Sequence, residues 1–181
     1  PLDGTTNFLH GIPHFAISIA HEQNGELVAG MVYDPTRDET FWAVKGAGCF
    51  LGNTRLRVSA RDHLDIAVLA TGIPFGNRPG KEEMRAALVP VMDRTAGLRR
   101  FGAASLDLAY VAAGRFDAFW EIGLAPWDVA AGIVLIREAG GLVGELDGRA
   151  DPLNGGTILA ANSRLYDPVG KMLRDAIRSK R

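Results

Sequence analysis

The chain has one cysteine, Cys49, so no disulfide can form within it, and the reducing cytoplasm is the expected compartment. Cys49 sits among Gly46, Gly48 and Gly52 and reads as structural filler in a turn. No apolar run approaches the ~18 residues of a membrane-crossing helix, and no secretory leader is visible. An excess of charge is missing as well, since 20 Lys and Arg face 21 Asp and Glu for a net charge of −1. That balance argues against a module gripping nucleic acid by bulk attraction, so an acidic substrate must be met by local groups or a metal. Histidine is scarce, and His10, His14, His21 and His63 lack the spacing of a metal site, which leaves packing or surface roles. What remains is 181 residues, 47% hydrophobic and 23% charged, the composition of an ordinary globule. One domain over residues 1–181 is the simplest reading, long enough to bury roughly 70% of its unfolded surface.

Chemistry concentrates at the first stretch, Pro1-Leu2-Asp3-Gly4-Thr5-Thr6-Asn7-Phe8. Gly4 permits positive φ or close backbone approach. Thr5, Thr6 and Asn7 offer hydroxyls and an amide where a helix can start, and such a start favours an anion. Asp3 could hold a divalent cation beside that anion, because hard cations take carboxylate oxygens. The plain alternative is a capped turn, with Thr6 as a cap.

Further along, Phe15 to His21 and Leu27 to Tyr33 read as strands joined at Asn24-Gly25, a strong hairpin signal. Thr40 to Val44 and a short piece near Leu56-Arg57-Val58 extend this antiparallel meander, and Ile66 to Thr71 reads as a buried strand. Phe75 to Lys81 is a candidate mobile loop, and Glu82 to Asp93 a helix that Pro90 should interrupt. Ala104 to Ala113 is a small-residue helix stopped by Gly114, and Phe116 to Ile122 a strand ending near Glu121. Pro126 opens a helix with Val129, Ile133 and Ile136 on one stripe, ended by Gly140-Gly141. Leu142 to Leu146 and Thr157 to Ala161 read as strands, and Leu165 to Ile177 as an amphipathic helix. Arg99-Arg100 reads as a solvated basic pair. Asp151-Pro152-Leu153-Asn154-Gly155-Gly156 imitates the opening motif but lacks its second acid, and reads as a turn. The class is mixed α and β, with helices covering sheets.

The opening stretch, together with Pro126-Trp127-Asp128-Val129-Ala130-Ala131-Gly132, resembles the inositol monophosphatase family, whose signatures read D-P-L-D-G-T and W-D-x-A-A-G. Phe41-Trp42-Ala43, Gly46-Ala47-Gly48, Leu69-Ala70-Thr71-Gly72 and Leu106-Asp107-Leu108-Ala109-Tyr110 carry the resemblance between them. It implies a layered α-β-α-β-α sandwich and a Mg²⁺-dependent, lithium-sensitive phosphomonoesterase that is a homodimer and acts on inositol monophosphate. Asp3, Asp128 and the Leu2 carbonyl would be metal ligands, with Asp3 and Thr5 serving the attacking water. The amides of Gly4, Thr5 and Thr6 would receive phosphate, while Glu121, Asp128 and the Gly102-Ala103-Ala104 segment would meet a phosphorylated polyol. Ala103 stands where relatives carry Ser or Thr, so no hydroxyl contact is expected there.

The motif's first Asp falls before Pro1, and a further metal-binding Glu would lie upstream. The chain therefore reads as the larger, C-terminal part of a longer protein without its N-terminal helical part, expected to bind magnesium weakly alone. The alternative among enzymes is a related phosphatase acting on histidinol phosphate, fructose 1,6-bisphosphate or a 3′-phosphonucleotide. A transcription- or RNA-associated regulator is the alternative from another class.

Overall fold

The computed structural model describes residues 2–179. Residue 1, whose amino group the sequence alone would place close to bound cations, lies outside them, as do residues 180 and 181.

Asn24 and Gly25 both take positive φ, 55° and 81°, as the shortest hairpin requires. Around that turn the first half of the chain folds as a meander. β1 (Leu2–Asp3) leads through α1 (Thr5–Leu9) to β2 (Ala16–Gln23), β3 (Glu26–Asp34), β4 (Glu39–Val44), β5 (Gly48–Leu51) and β6 (Thr54–Leu56). These six strands form one antiparallel sheet in sequence order. The second half alternates, with β7 (Val68–Thr71), α2 (Lys81–Arg94), β8 (Gly97–Arg99), α3 (Ala104–Ala112), β9 (Ala118–Ile122), α4 (Pro126–Glu138), β10 (Leu142–Gly144), β11 (Thr157–Ala161) and α5 (Tyr166–Arg178). Its five strands make a second sheet, ordered β10-β11-β9-β7-β8, parallel at β8-β7-β9 and antiparallel at β9-β11-β10.

α3 and α4 lie between the two sheets, while α2 and α5 cover the outer face of the second. The layers run sheet, helices, sheet, helices, an α+β sandwich of the expected kind. Every residue of α3 is buried, the polar Ser105 and Asp107 included. α4 likewise buries far more than the stripe read from its spacing, including Ala131, Val134 and Leu135, because it has a sheet on one side and α3 on the other.

Two expectations fail locally. α2 runs unbroken through Pro90, although proline removes a backbone donor at a cost of about 3 kcal/mol. Met84, Ala87 and Val91 bury the helix's inner face against α5 and the sheet, which offsets that loss. Second, the stretch around Cys49, read as a turn, contains strand β5; at four residues it is too short for alternation to show.

Candidate active site

Asp3 is placed by pairing. β1 adds to the edge of the first sheet with Asp3 opposite Ala16. Gly4 then turns at φ 78°, where a Cβ would meet the His14 carbonyl at 2.9 Å, so the position requires glycine. Asp3 Oδ1 accepts the Gly4 N–H at 2.8 Å. Asp3 Oδ2 accepts the Ser105 N–H at 2.8 Å and the Ser105 hydroxyl at 2.6 Å, from the first turn of α3. The Gly4 amide, expected to receive phosphate, lines the cleft with its hydrogen directed at Asp3. The amides of Thr5 and Thr6 open α1 without partners inside it. Thr5 Oγ1 donates to the Leu2 carbonyl at 3.4 Å. Thr6 caps nothing, since α1 has no side-chain cap.

The second carboxylate comes from the other layer. Asp128 is the third residue of α4, and its Oδ2 accepts the Ala125 N–H at 2.9 Å. Its other oxygen accepts no protein hydrogen bond among the described residues. Glu121 arrives at the end of β9, beside Gly72 at the end of β7. A Cβ at Gly72 would fall 2.0 Å from the Glu121 carboxylate, so the carboxylate occupies the space that glycine leaves there.

Leu2, Asp3, Gly4, Thr5, Thr6, Gly102, Ala104, Glu121 and Asp128 all line one cleft of about 890 Å³. Ala103 does not: it is fully buried in the core, and its contribution as a substrate-facing residue is corrected on that ground. The same cleft takes in residues that sequence reasoning missed. Arg78 and Arg100 line it, with the Arg100 guanidinium 5.0 Å from the Phe75 ring centre, so Arg100 is not merely half of a solvated pair. The Asp151 turn stays outside, its carboxylate accepting from the Asn154 backbone and side chain.

Acid accumulates here. Burial, then the Asp3 charge, pushes Glu121 from 4.5 up to about 7, with Arg100 and Arg78 pulling the other way. Burial also raises Asp128, against the Ala125 hydrogen bond, and Asp3 adds to the rise. Asp107, on α3 behind the cleft, is raised well above its ordinary value by burial and by Glu121 and Asp3, and its Oδ1 has no hydrogen-bond partner.

The raised value at Glu121 has a stability consequence. The native state holds this proton more tightly than the unfolded chain, so its stabilising effect is complete below pH 4.5 and lost as pH rises through 7. In chelator, Glu121→Gln should therefore melt several degrees above the parent at pH 8, with a ceiling of about 3 kcal/mol. The difference should vanish near pH 4.5. Thermal unfolding at both pH values checks it, and an equal gain at each would assign the effect to packing.

The donor set suits a hard cation. Asp3, Glu121 and Asp128 are oxygen donors crowded into one cleft, and the two arginines leave their mutual repulsion uncompensated. Among the described residues no three acids stand close enough to complete a coordination shell alone.

Oxygen donors meeting partnerless helix-start amides in one cleft, on a two-sheet sandwich, define a phosphoric monoester hydrolase. The profile of the inositol monophosphatase family matches residues 1–178, and the chain belongs to that family. It is 54% identical over 179 residues to the inositol-1-monophosphatase of Caulobacter vibrioides, covering 97% of this chain and 70% of the relative. The Nus factor SuhB of Pseudomonas aeruginosa is 53% identical over 171 residues, 92% of this chain and 62% of that protein. The crystal structure of the extragenic suppressor protein suhB from Bartonella henselae superposes with a TM-score of 0.93 at 50% identity, over 96% of this chain and 67% of that one. No helix among the described residues is long and apolar enough to cross a membrane.

Proposed function

We propose that this cleft hydrolyses the phosphate monoester of a polyol, inositol monophosphate foremost, with Mg²⁺ as cofactor. The observation that carries the reading is the meeting of Asp3, from the first sheet, with Asp128 and Glu121, from the second half of the chain, around one cleft. Asp3, Asp128 and the Leu2 carbonyl hold the cation. When bound, it supplies positive charge for phosphate oxygens and makes a coordinated water more acidic.

The chain's own groups do the rest. The Thr5 and Thr6 amides receive phosphate oxygens, and the Thr5 hydroxyl, steered by the Leu2 carbonyl, orients the attacking water. Ser105 fixes Asp3 through two hydrogen bonds, so that carboxylate needs no reorganisation on binding. Glu121, held in the space that Gly72 leaves, accepts hydrogen bonds from polyol hydroxyls. A buried, unreactive Cys49, its thiol pushed up to about 12 by burial, suits a cytoplasmic protein. The family also suggests lithium sensitivity and a homodimer.

The test is phosphate release from inositol 1-phosphate and from phenyl phosphate, with magnesium and with chelator. Glu121→Gln should lose roughly tenfold more kcat/KM on the inositol ester, because phenyl phosphate has no hydroxyls for this carboxylate to hold. Equal losses on both would remove Glu121 from substrate recognition, and release insensitive to chelator would sink the metal. The name Nus factor on a relative favours a second reading, transcription-associated regulation. Salt-sensitive co-purification with RNA would support it.

A further inference from the structure

β9 carries two consecutive residues to opposite faces of the second sheet. Glu121 faces the cleft just described, and Ile122 faces a separate cavity of about 370 Å³ on the side of α2 and α5. Ile122 pairs with Thr157 across β9 and β11, so the two side chains stand together on that face. Ile122, Leu146 and Ile177 give the cavity an apolar floor.

Its rim carries three arginines. Arg149, Arg174 and Arg178 face only two lining carboxylates, Glu83 and Asp147. Arg149 is already engaged, by Glu145 at 2.8 Å and Asp147 at 2.7 Å. Arg174 meets only the Leu146 carbonyl, at 3.4 Å, and has no carboxylate partner among the described residues. An apolar floor of this volume beneath an uncompensated guanidinium matches a small ligand with an apolar body and one anionic head.

We propose that this cavity is a second ligand site, for a small amphipathic carboxylate or phosphate, and that its occupancy is sensed in the catalytic cleft. Two connections carry the coupling. The loop over residues 73–80 lines both spaces, with Phe75 and Arg78 in the cleft and Pro79 and Gly80 at the cavity. Gly80 packs so closely on Ile122 that a Cβ there would fall 2.6 Å from the Ile122 side chain. A ligand pressing on Ile122 and Gly80 therefore pushes on the strand that ends with Glu121 and on the loop that carries Arg78. Both cavities answer to one strand end and one loop, and the coupling is reciprocal.

The test is a titration of the 181-residue chain in chelator, which keeps the hydrolytic cleft silent, followed by backbone amide chemical shifts. The probes are hexanoate, hexyl phosphate, hexanol and hexyltrimethylammonium. Saturable shifts at Ile122, Leu146, Thr157 and Ile177 are expected with the two anions, and the ratio of their affinities identifies the preferred head. Arg174→Glu should weaken anion binding at least tenfold. Arg178→Glu, at the exposed end of α5, serves the same purpose if the first variant does not fold. Equal binding of hexanol or of the ammonium probe would overturn the anion site, as would affinities unchanged in both variants. Shifts should extend to Gly76 and Arg78, and shifts confined to the cavity would overturn the coupling.

Discussion

Asp128→Asn should lower phosphate release at least about 100-fold, since even residues that merely support metal ligands cost 10–100-fold when changed. The asparagine oxygen can still accept the Ala125 N–H that Asp128 Oδ2 accepts at 2.9 Å, so the start of α4 keeps its hydrogen bond. What the substitution removes is the negative charge. Thermal stability in chelator should stay within about 1 kcal/mol of the parent, the size of a lost cap. Calorimetric titration with Mn²⁺ gives a readout independent of turnover, and affinity should fall with activity. If turnover and Mn²⁺ affinity persist while stability drops, Asp128 is a helix-terminus residue and not a ligand.

How much of this could be read along the chain depended on whether the signal was local. The β2-β3 hairpin is legible because Asn24-Gly25 specifies its turn, and α4 because Pro126 and Gly140 bracket it. α2 was misjudged at Pro90 because the packing that holds the helix together comes from α5, almost eighty positions away. The opening motif and Trp127-Asp128 were legible as a pair only through resemblance, since 125 positions separate their carboxylates and no periodicity joins them.

The supporting shell was not legible at all. Ser105 looks like an ordinary residue of a small-residue helix, yet it donates twice to Asp3, 102 positions earlier. Gly72 carries no local signal of a site, and its missing side chain is what accommodates Glu121. Arg100 gained its meaning from Phe75, on a loop read only as glycine- and proline-rich. Ala103 shows the converse error. A segment named for facing substrate alternates direction, so Gly102 and Ala104 line the cleft while Ala103 turns into the core.

Gly30 against Ala131 is one of the closest approaches between the site's two halves, and Gly30→Ala should break it. Gly30 lies in β3 with its Cα face against α4, and an added Cβ would stand 2.7 Å from the Ala131 carbonyl oxygen and 2.9 Å from the Ala131 Cα. Both obstacles are backbone, so no side-chain rotation relieves them. The helix must lift from the sheet, and overpacking of this kind costs about 3 kcal/mol. For a chain of this length that corresponds to a fall of about 6–12 °C in Tm. Function should suffer beyond stability, because β1 carries Asp3 in the same sheet as β3, while α4 carries Asp128 three residues from Ala131. Lifting α4 separates the two carboxylates, and a displacement of about 1 Å is enough to cost roughly 100-fold in rate. Measured well below its own Tm, Gly30→Ala should therefore remain folded by circular dichroism and yet bind Mn²⁺ at least tenfold more weakly. A variant that melts within 2 °C of the parent, or that loses stability while keeping full Mn²⁺ affinity, would show that the sheet–helix spacing does not set the distance between Asp3 and Asp128.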